Sequence, residues 1–249
     1  MVVGGKMVGD TSNNYLSKAY NKGKLRQVVN NYGENANLLR KLKEIGEKDG
    51  IKINISPYNS VPGVYSKTIN PKTKEILEEE IGSSAYAGTL AHELGHSRHF
   101  KGRDGSKLGK LAHKLDNTTR NPKVSTTALI GSGLVSGIRA GMKKEKDEKV
   151  STLNKLTPAL TGAAVFLPTV GAEIAASRRG YKLLKKSGAS NEYLKHHTKN
   201  MKAALGTYLT SAGYKTVVSG YGSREFGKLI GREIAADQKR KEKRKNKDK

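Results

Sequence analysis

Apolar positions recur at Leu38, Leu39, Leu42 and Ile45, the three-and-four spacing of one helix face within Glu34 to Lys48, and Asp49-Gly50 then supplies a stop. Immediately afterwards Ile51, Ile53 and Ile55 alternate with Lys52 and Asn54, a period of two that predicts a half-buried strand. Gly63 to Ile69 and Lys74 to Glu79 predict a hairpin closed by Asn70-Pro71-Lys72-Thr73, with Val64, Tyr65, Ile76 and Leu77 as its apolar contacts. From Ser83 onward helical spacing dominates. The pattern predicts an α+β protein: a small β-hairpin or sheet, one polar-faced helix at Thr89 to Phe100, and a mostly helical C-terminal part. It reads as a single domain over 1–237 with a helical hairpin inserted at about 124–172. The run 238–249 carries too little apolar surface to order itself and reads as a disordered basic tail.

Uncharged runs at Val124 to Ile138, Leu156 to Ala172 and Ala203 to Tyr214 complicate the picture. Each falls short of the roughly 20 apolar residues of a spanning helix and is rich in Gly, Ser and Thr, which suits the core of a soluble bundle. The lysine-rich Lys143 to Lys155 segment and the tail QKRKEKRKNKDK flank these runs as cytosolic loops flank a bilayer. The pairing inclines the reading to a membrane-associated protein with a cytosol-facing site, a soluble cytoplasmic protein being the alternative. Gly133-x-x-x-Gly137 permits close helix packing in either medium.

Charge narrows the partners without choosing one. Lys plus Arg number 47 against 22 Asp plus Glu, a net +25 that favours anionic partners. The tail could hold anionic lipid or nucleic acid, or serve only as a solubilising end. MVVGGKMVGD is too short an apolar stretch for a cleavable signal peptide. With no cysteine, thiolate metal sites and cysteine nucleophiles are excluded, so any zinc site must use His, Asp and Glu.

Such a set lies in T-L-A-H-E-L-G-H-S-R-H-F, Thr89 to Phe100. On a helix His92 and His96 project from one face a turn apart, so both imidazoles can reach one Zn2+ ion. Glu93, beside the first ligand, is placed to take a proton from metal-bound water. Catalytic zinc needs a third protein ligand. His99 is the local candidate, but ligands four and seven residues after His92 on one straight helix cannot readily surround an ion. The three-histidine pattern H-E-x-x-H-x-x-G-x-x-H is excluded, because position 99 is His and position 102 is Gly. A downstream glutamate remains, and Glu173, closing the uncharged run, is the best candidate: a lone carboxylate in apolar company is costly unless something pairs with it. His196-His197 reads as an exposed pair on a polar helix, or as a proton donor near the metal. Arg178 and Arg179 read as a solvated face, or as partners of a substrate carboxylate or lipid phosphate.

A-H-E-L-G-H followed by L-P-T-V-G-A-E-I-A-A-S-R-R-G-Y-K-L-L-K-K-S-G resembles the neutral zinc metallopeptidases of bacterial membranes, the YugP-like family. It is similar, more distantly, to the HtpX-like and CAAX-processing membrane proteases, whose third ligand is the glutamate of an E-x-x-A motif. The likeness covers roughly Ile51 to Gly222. It implies a zincin-like catalytic core and a gluzincin endopeptidase acting on peptide or protein substrates, with His92, His96 and Glu173 as zinc ligands and Glu93 as catalytic base. Ser177 stands where more distant gluzincins carry an aspartate that orients a ligand histidine. Two other readings remain: a scaffold that holds zinc only for structure, and a basic nucleic-acid or virion-associated protein with a coincidental motif.

Overall fold

A computed structural model describes residues 32–56, 63–73, 76–100, 121–142 and 152–246, with Lys18, Lys22, Thr118 and Thr119. Residues 143–151 of the lysine-rich Lys143 to Lys155 segment, His113 and the side chain of His99 lie outside the described residues. The elements are α1 (Tyr32–Lys48), β1 (Lys52–Ser56), β2 (Val64–Ile69), β3 (Ile76–Ser84), α2 (Ala87–Phe100), α3 (Pro122–Met142), α4 (Thr152–Lys186), α5 (Asn191–Lys215), a π-helical turn (Thr216–Tyr221) and α6 (Gly222–Lys245). The chain is α+β: mostly helical, with a three-stranded mixed sheet. It divides into two compact units, one of 12–114 and 170–208, the other of 1–11, 115–169 and 209–249. On α4 the division falls beside Pro168, which has no N–H for the helical ladder.

In the first unit the sheet order is β1-β3-β2. β2 and β3 form the expected antiparallel hairpin, with Tyr65 opposite Ile81 and Lys67 opposite Glu79. Its turn is held by Asn70 Oδ1, which accepts from the backbone N–H of Lys72 and Thr73. β1 joins the other side of β3 in parallel, Ile53 beside Ile81. The alternation expected around Ile51 and Ile53 is realised: both are buried while Lys52 and Asn54 are exposed. Leu38 and Leu42 of α1, Leu90 and Leu94 of α2, Ile81, Leu184 and Tyr193 complete one core. Each such side chain contributes about 1.5–3 kcal/mol by leaving water.

Polar ties fix the frame around that core. Asn35 donates to the Ala85 carbonyl at 2.8 Å, and its Oδ1 accepts from Ala87 N–H at 3.0 Å and from the Tyr193 hydroxyl at 2.7 Å. One buried amide thereby joins α1, the start of α2 and the start of α5. α4 ends at Gly188, whose φ of 90° only glycine adopts without strain, and Ser190 caps α5 by accepting from Tyr193 N–H.

The second unit is built differently. α3 and α6 approach backbone to backbone: a Cβ at Gly133, Gly137 or Gly141 would strike the carbonyls of Gly220, Arg224 or Lys228. Buried Arg224 donates through Nε to Ser136 Oγ at 3.1 Å, and Ser136 is tied in turn to Asn154. Large apolar side chains face outward instead. Val135, Leu153, Leu160, Leu167, Leu209, Val217, Phe226 and Leu229 are each at least half exposed. α4 is long and apolar enough to cross a membrane, by length and composition. α6 runs on to Lys245, so positions 238–245 are helical where composition predicts disorder. Lys, Arg and Glu are good helix formers, and Asp237 pairs with Lys241 one turn on at 2.8 Å.

Candidate metal centre

α2 begins directly after β3 and buries Leu90, Ala91 and Leu94 against the core, which leaves His92 and His96 on the face turned to α4. Gly95 and Gly180 let the two helices touch. A Cβ on Gly95 would meet the Ala176 carbonyl, and one on Gly180 the Ala91 carbonyl. This antiparallel contact puts Glu173, about one turn before Ala176, opposite the histidine pair.

His92 Nε2 lies 3.2 Å from Glu173 Oε2, His96 Nε2 lies 3.3 Å from the same oxygen, and the two ring nitrogens are 3.2 Å apart. The rings meet edge-on, 89° between their planes. A tetrahedral ion with bonds of about 2.0–2.1 Å separates its ligand atoms by about 3.3 Å. The triangle therefore fits one face of such a coordination shell, and the donor set, two imidazoles and a carboxylate, could hold a divalent transition-metal ion. His96, Glu93 and Glu173 are buried, and His92 is partly so. Burial alone would raise the Glu173 pKa; its hydrogen bonds to His92 and His96 outweigh this and hold the carboxyl well below the usual range.

Two further contacts orient the ligands. Ser177, one turn after Glu173, brings its Oγ to 3.2 Å from His92 Nδ1. If an ion were held at the shared centre through the Nε2 lone pair, Nδ1–H would donate to that hydroxyl, which would fix tautomer and ring. Behind the helix, buried Glu79 of β3 accepts from the Tyr65 hydroxyl at 2.7 Å and from Ser97 Oγ at 3.2 Å, tying the residue after His96 to the sheet. Burial and the hydrogen bond to Glu79 push the Tyr65 phenol well above its ordinary pKa.

Glu93 does not join the triangle. It faces a cavity of about 190 Å³ that His92, Glu173 and Ser177 also line, and that is closed by Gly63 and by Met201, Leu205 and Tyr208 of α5. Gly63 immediately precedes β2, an edge strand of the sheet. A Cβ there would collide with the Glu93 carboxylate and Thr89 in their present positions, so glycine lets the strand end approach the acid without displacing it. No periodicity or motif marks Gly63 or the α5 residues as part of this cavity.

The remaining candidates divide. His196 is exposed, near Glu192. His197 is buried at 1 % exposure, a correction to the expected exposed pair: it falls on the same helix face as Tyr193, Leu194, Asn200 and Met201 and lies against the Tyr86 ring. Desolvation, with a smaller effect from His92, pushes its pKa down to about 3. Arg178 is exposed. Comparison with protein-family models, with curated proteins and with solved structures finds no match to this chain.

Proposed function

We propose that the protein is a zinc-dependent endopeptidase of the gluzincin type, with a zincin-like core related to the YugP-like membrane peptidases. The observation that carries this reading is the closed triangle of His92, His96 and Glu173 atoms with edges of 3.2–3.3 Å beside a separate buried carboxylate, Glu93. His92, His96 and Glu173 would hold the ion. Bound there, zinc supplies Lewis acidity toward a carbonyl and lowers the pKa of a water toward neutrality. Glu93, on the cavity wall beside Gly63, accepts the proton of the attacking water and returns it to the departing amine. Ser177 keeps the His92 ring turned to the shared centre. The edge of β2 aligns an extended peptide through main-chain hydrogen bonds, leading it past Gly63 to Glu93.

The same reading places the protein at a membrane, its site facing the cytosol. The outward apolar side chains of the helical unit and its glycine-lined helix contacts support association with a bilayer, where large side chains face lipid and small ones face neighbouring helices.

Glu93→Gln tests the mechanism. The variant is expected to keep wild-type zinc stoichiometry and lose hydrolysis of casein, whereas Glu173→Gln is expected to weaken zinc binding at least tenfold and lose activity as well. Full activity of Glu93→Gln overturns the proposal. Stoichiometric zinc in wild type without turnover favours the scaffold reading, and wild-type zinc affinity in Glu173→Gln overturns the ligand set.

A further inference from the structure

We infer that the groove between α4 and α5 beside the metal centre binds an acidic–apolar peptide segment, which makes acidic residues on one side of the cleaved bond a specificity determinant. The inference rests on the peptidase reading and names its substrate class. The groove has a volume of about 600 Å³, within the range of ligand-sized pockets, and its apolar floor includes Ile174, Met201 and Leu205. Ser177, Met201 and Leu205 also border the cavity that holds Glu93 and Glu173, so the two spaces adjoin along these shared walls. The ring nitrogens of His197 are sealed from the surface, so this histidine is part of the floor and not a ligand.

The rim is cationic. Arg178, Lys182 and Lys185 follow one another along one face of α4, and Lys202 stands across on α5. All four are exposed, and among the described residues none has a carboxylate partner. An apolar floor with an unneutralised positive rim suits an occupant that carries both a bulky apolar group and negative charge. A peptide is favoured over a lipid by the adjacency to the cavity of Glu93, which Gly63 at the start of β2 also lines.

Spacing gives the pattern. At about 1.5 Å per residue, Arg178 and Lys182 lie about 6 Å apart along one face of α4. An extended chain advances about 3.3 Å per residue, so that spacing matches about two residues of an extended chain. Side chains two residues apart in an extended chain share a face. A segment with a leucine-like residue on the floor and Asp or Glu at alternate positions therefore meets Arg178 and Lys182 together.

The experiment is fluorescence anisotropy on the full-length, zinc-loaded Glu93→Gln variant at physiological ionic strength. The probes are dye-labelled peptides in which alternating glutamates stand before or after a central leucine, with glutamine and lysine counterparts. One polarity of the glutamate peptide is expected to bind at least tenfold tighter than its glutamine counterpart. Lys182→Glu combined with Lys185→Glu is expected to reverse the preference toward the lysine peptide, and Met201→Trp, which fills the floor, to weaken every probe. Equal affinity for glutamate and glutamine peptides, equal affinity for both polarities, or a preference that survives charge reversal overturns the inference. So does displacement of the peptide by an equal concentration of cis-parinaric acid, which reassigns the groove to a lipid chain. The binding assay needs no turnover. Acid-selective binding without cleavage by wild type removes the peptidase reading and leaves the groove, and cleavage without acid preference does the reverse.

Discussion

Gly95→Ala tests whether the helix crossing makes the site. The added methyl group meets the carbonyl and Cα of Ala176, main-chain atoms of α4 that cannot turn aside as a side chain can. Ordinary contact requires about 3.5 Å, so α4 must retreat on the order of 1 Å. Overpacking of this kind costs about 1–3 kcal/mol, offset by about 0.5–1 kcal/mol from replacing glycine inside a helix. The same retreat stretches the 3.2 and 3.3 Å separations from Glu173 to the two histidines to about 4 Å, too far for one ion with bonds of about 2.1 Å. Gly171→Ala, on the same helix as Glu173, is the control: nothing lies within 4 Å of its Cβ, so a gain of about 0.5–1 kcal/mol is expected with no change in metal binding. Urea unfolding of the metal-free proteins reads the stability, and zinc titration against a chelating indicator reads the site. Gly95→Ala is expected to lose about 1–2 kcal/mol and at least tenfold in zinc affinity. Wild-type zinc affinity in Gly95→Ala would refute the claim that backbone contact positions the carboxylate.

The buried His197 should make stability fall on acidification. Its folded pKa of about 3 lies below an unfolded value of about 6.5, so only the unfolded chain gains the proton between them; stability is full above about pH 6.5 and is lost as pH falls, by about 2 kcal/mol at pH 5. Urea unfolding of metal-free wild type and His197→Phe at both pH values checks this, and an equal loss in the two proteins contradicts it. Ser177→Ala removes the partner of His92 Nδ1 and is expected to weaken zinc binding 10–100-fold without changing stoichiometry at saturation; an unchanged affinity would mean that the hydroxyl does not orient the ring. The full-length chain should sediment with membranes and resist carbonate extraction, because its helical unit exposes large apolar side chains. Release by salt alone would point to attachment by charge, which is screened over about 8 Å at physiological ionic strength.

What the sequence reveals and what it hides follow from the range of each interaction. H-E-x-x-H is local, so the pairing of His92 with His96 can be read from helical spacing alone. Glu173 is distant but stands out energetically, as the one carboxylate closing an apolar run, and the structure brings it to the pair. The parallel pairing of β1 with β3 is absent from any local pattern. β3 continues through Gly82, Ser83 and Ser84, residues without strand preference, because Ile55 and Ser56 hold it from one side and Val64 from the other. His197 was concealed by its neighbour: the doublet suggests one shared environment, whereas successive helix positions point about 100° apart and only one of the two can face the core.

Small residues carry a second lesson, because the same spacing serves opposite packing. In the unit with the metal centre, Gly95 and Gly180 bring two backbones together while the leucines around them turn inward, so tight approach and hydrophobic burial reinforce each other. In the helical unit Gly133, Gly137 and Gly141 make an equally close contact, yet Leu153, Leu160, Leu209 and Phe226 face away from it. Water penalises that second arrangement at about 25 cal/mol per Å² of apolar surface left exposed, and a bilayer does not. The glycine pattern alone is therefore neutral between a soluble bundle and a membrane-bound one. The direction taken by the large side chains adds what the glycines lack, and in this chain it is compatible with membrane association of the helical unit.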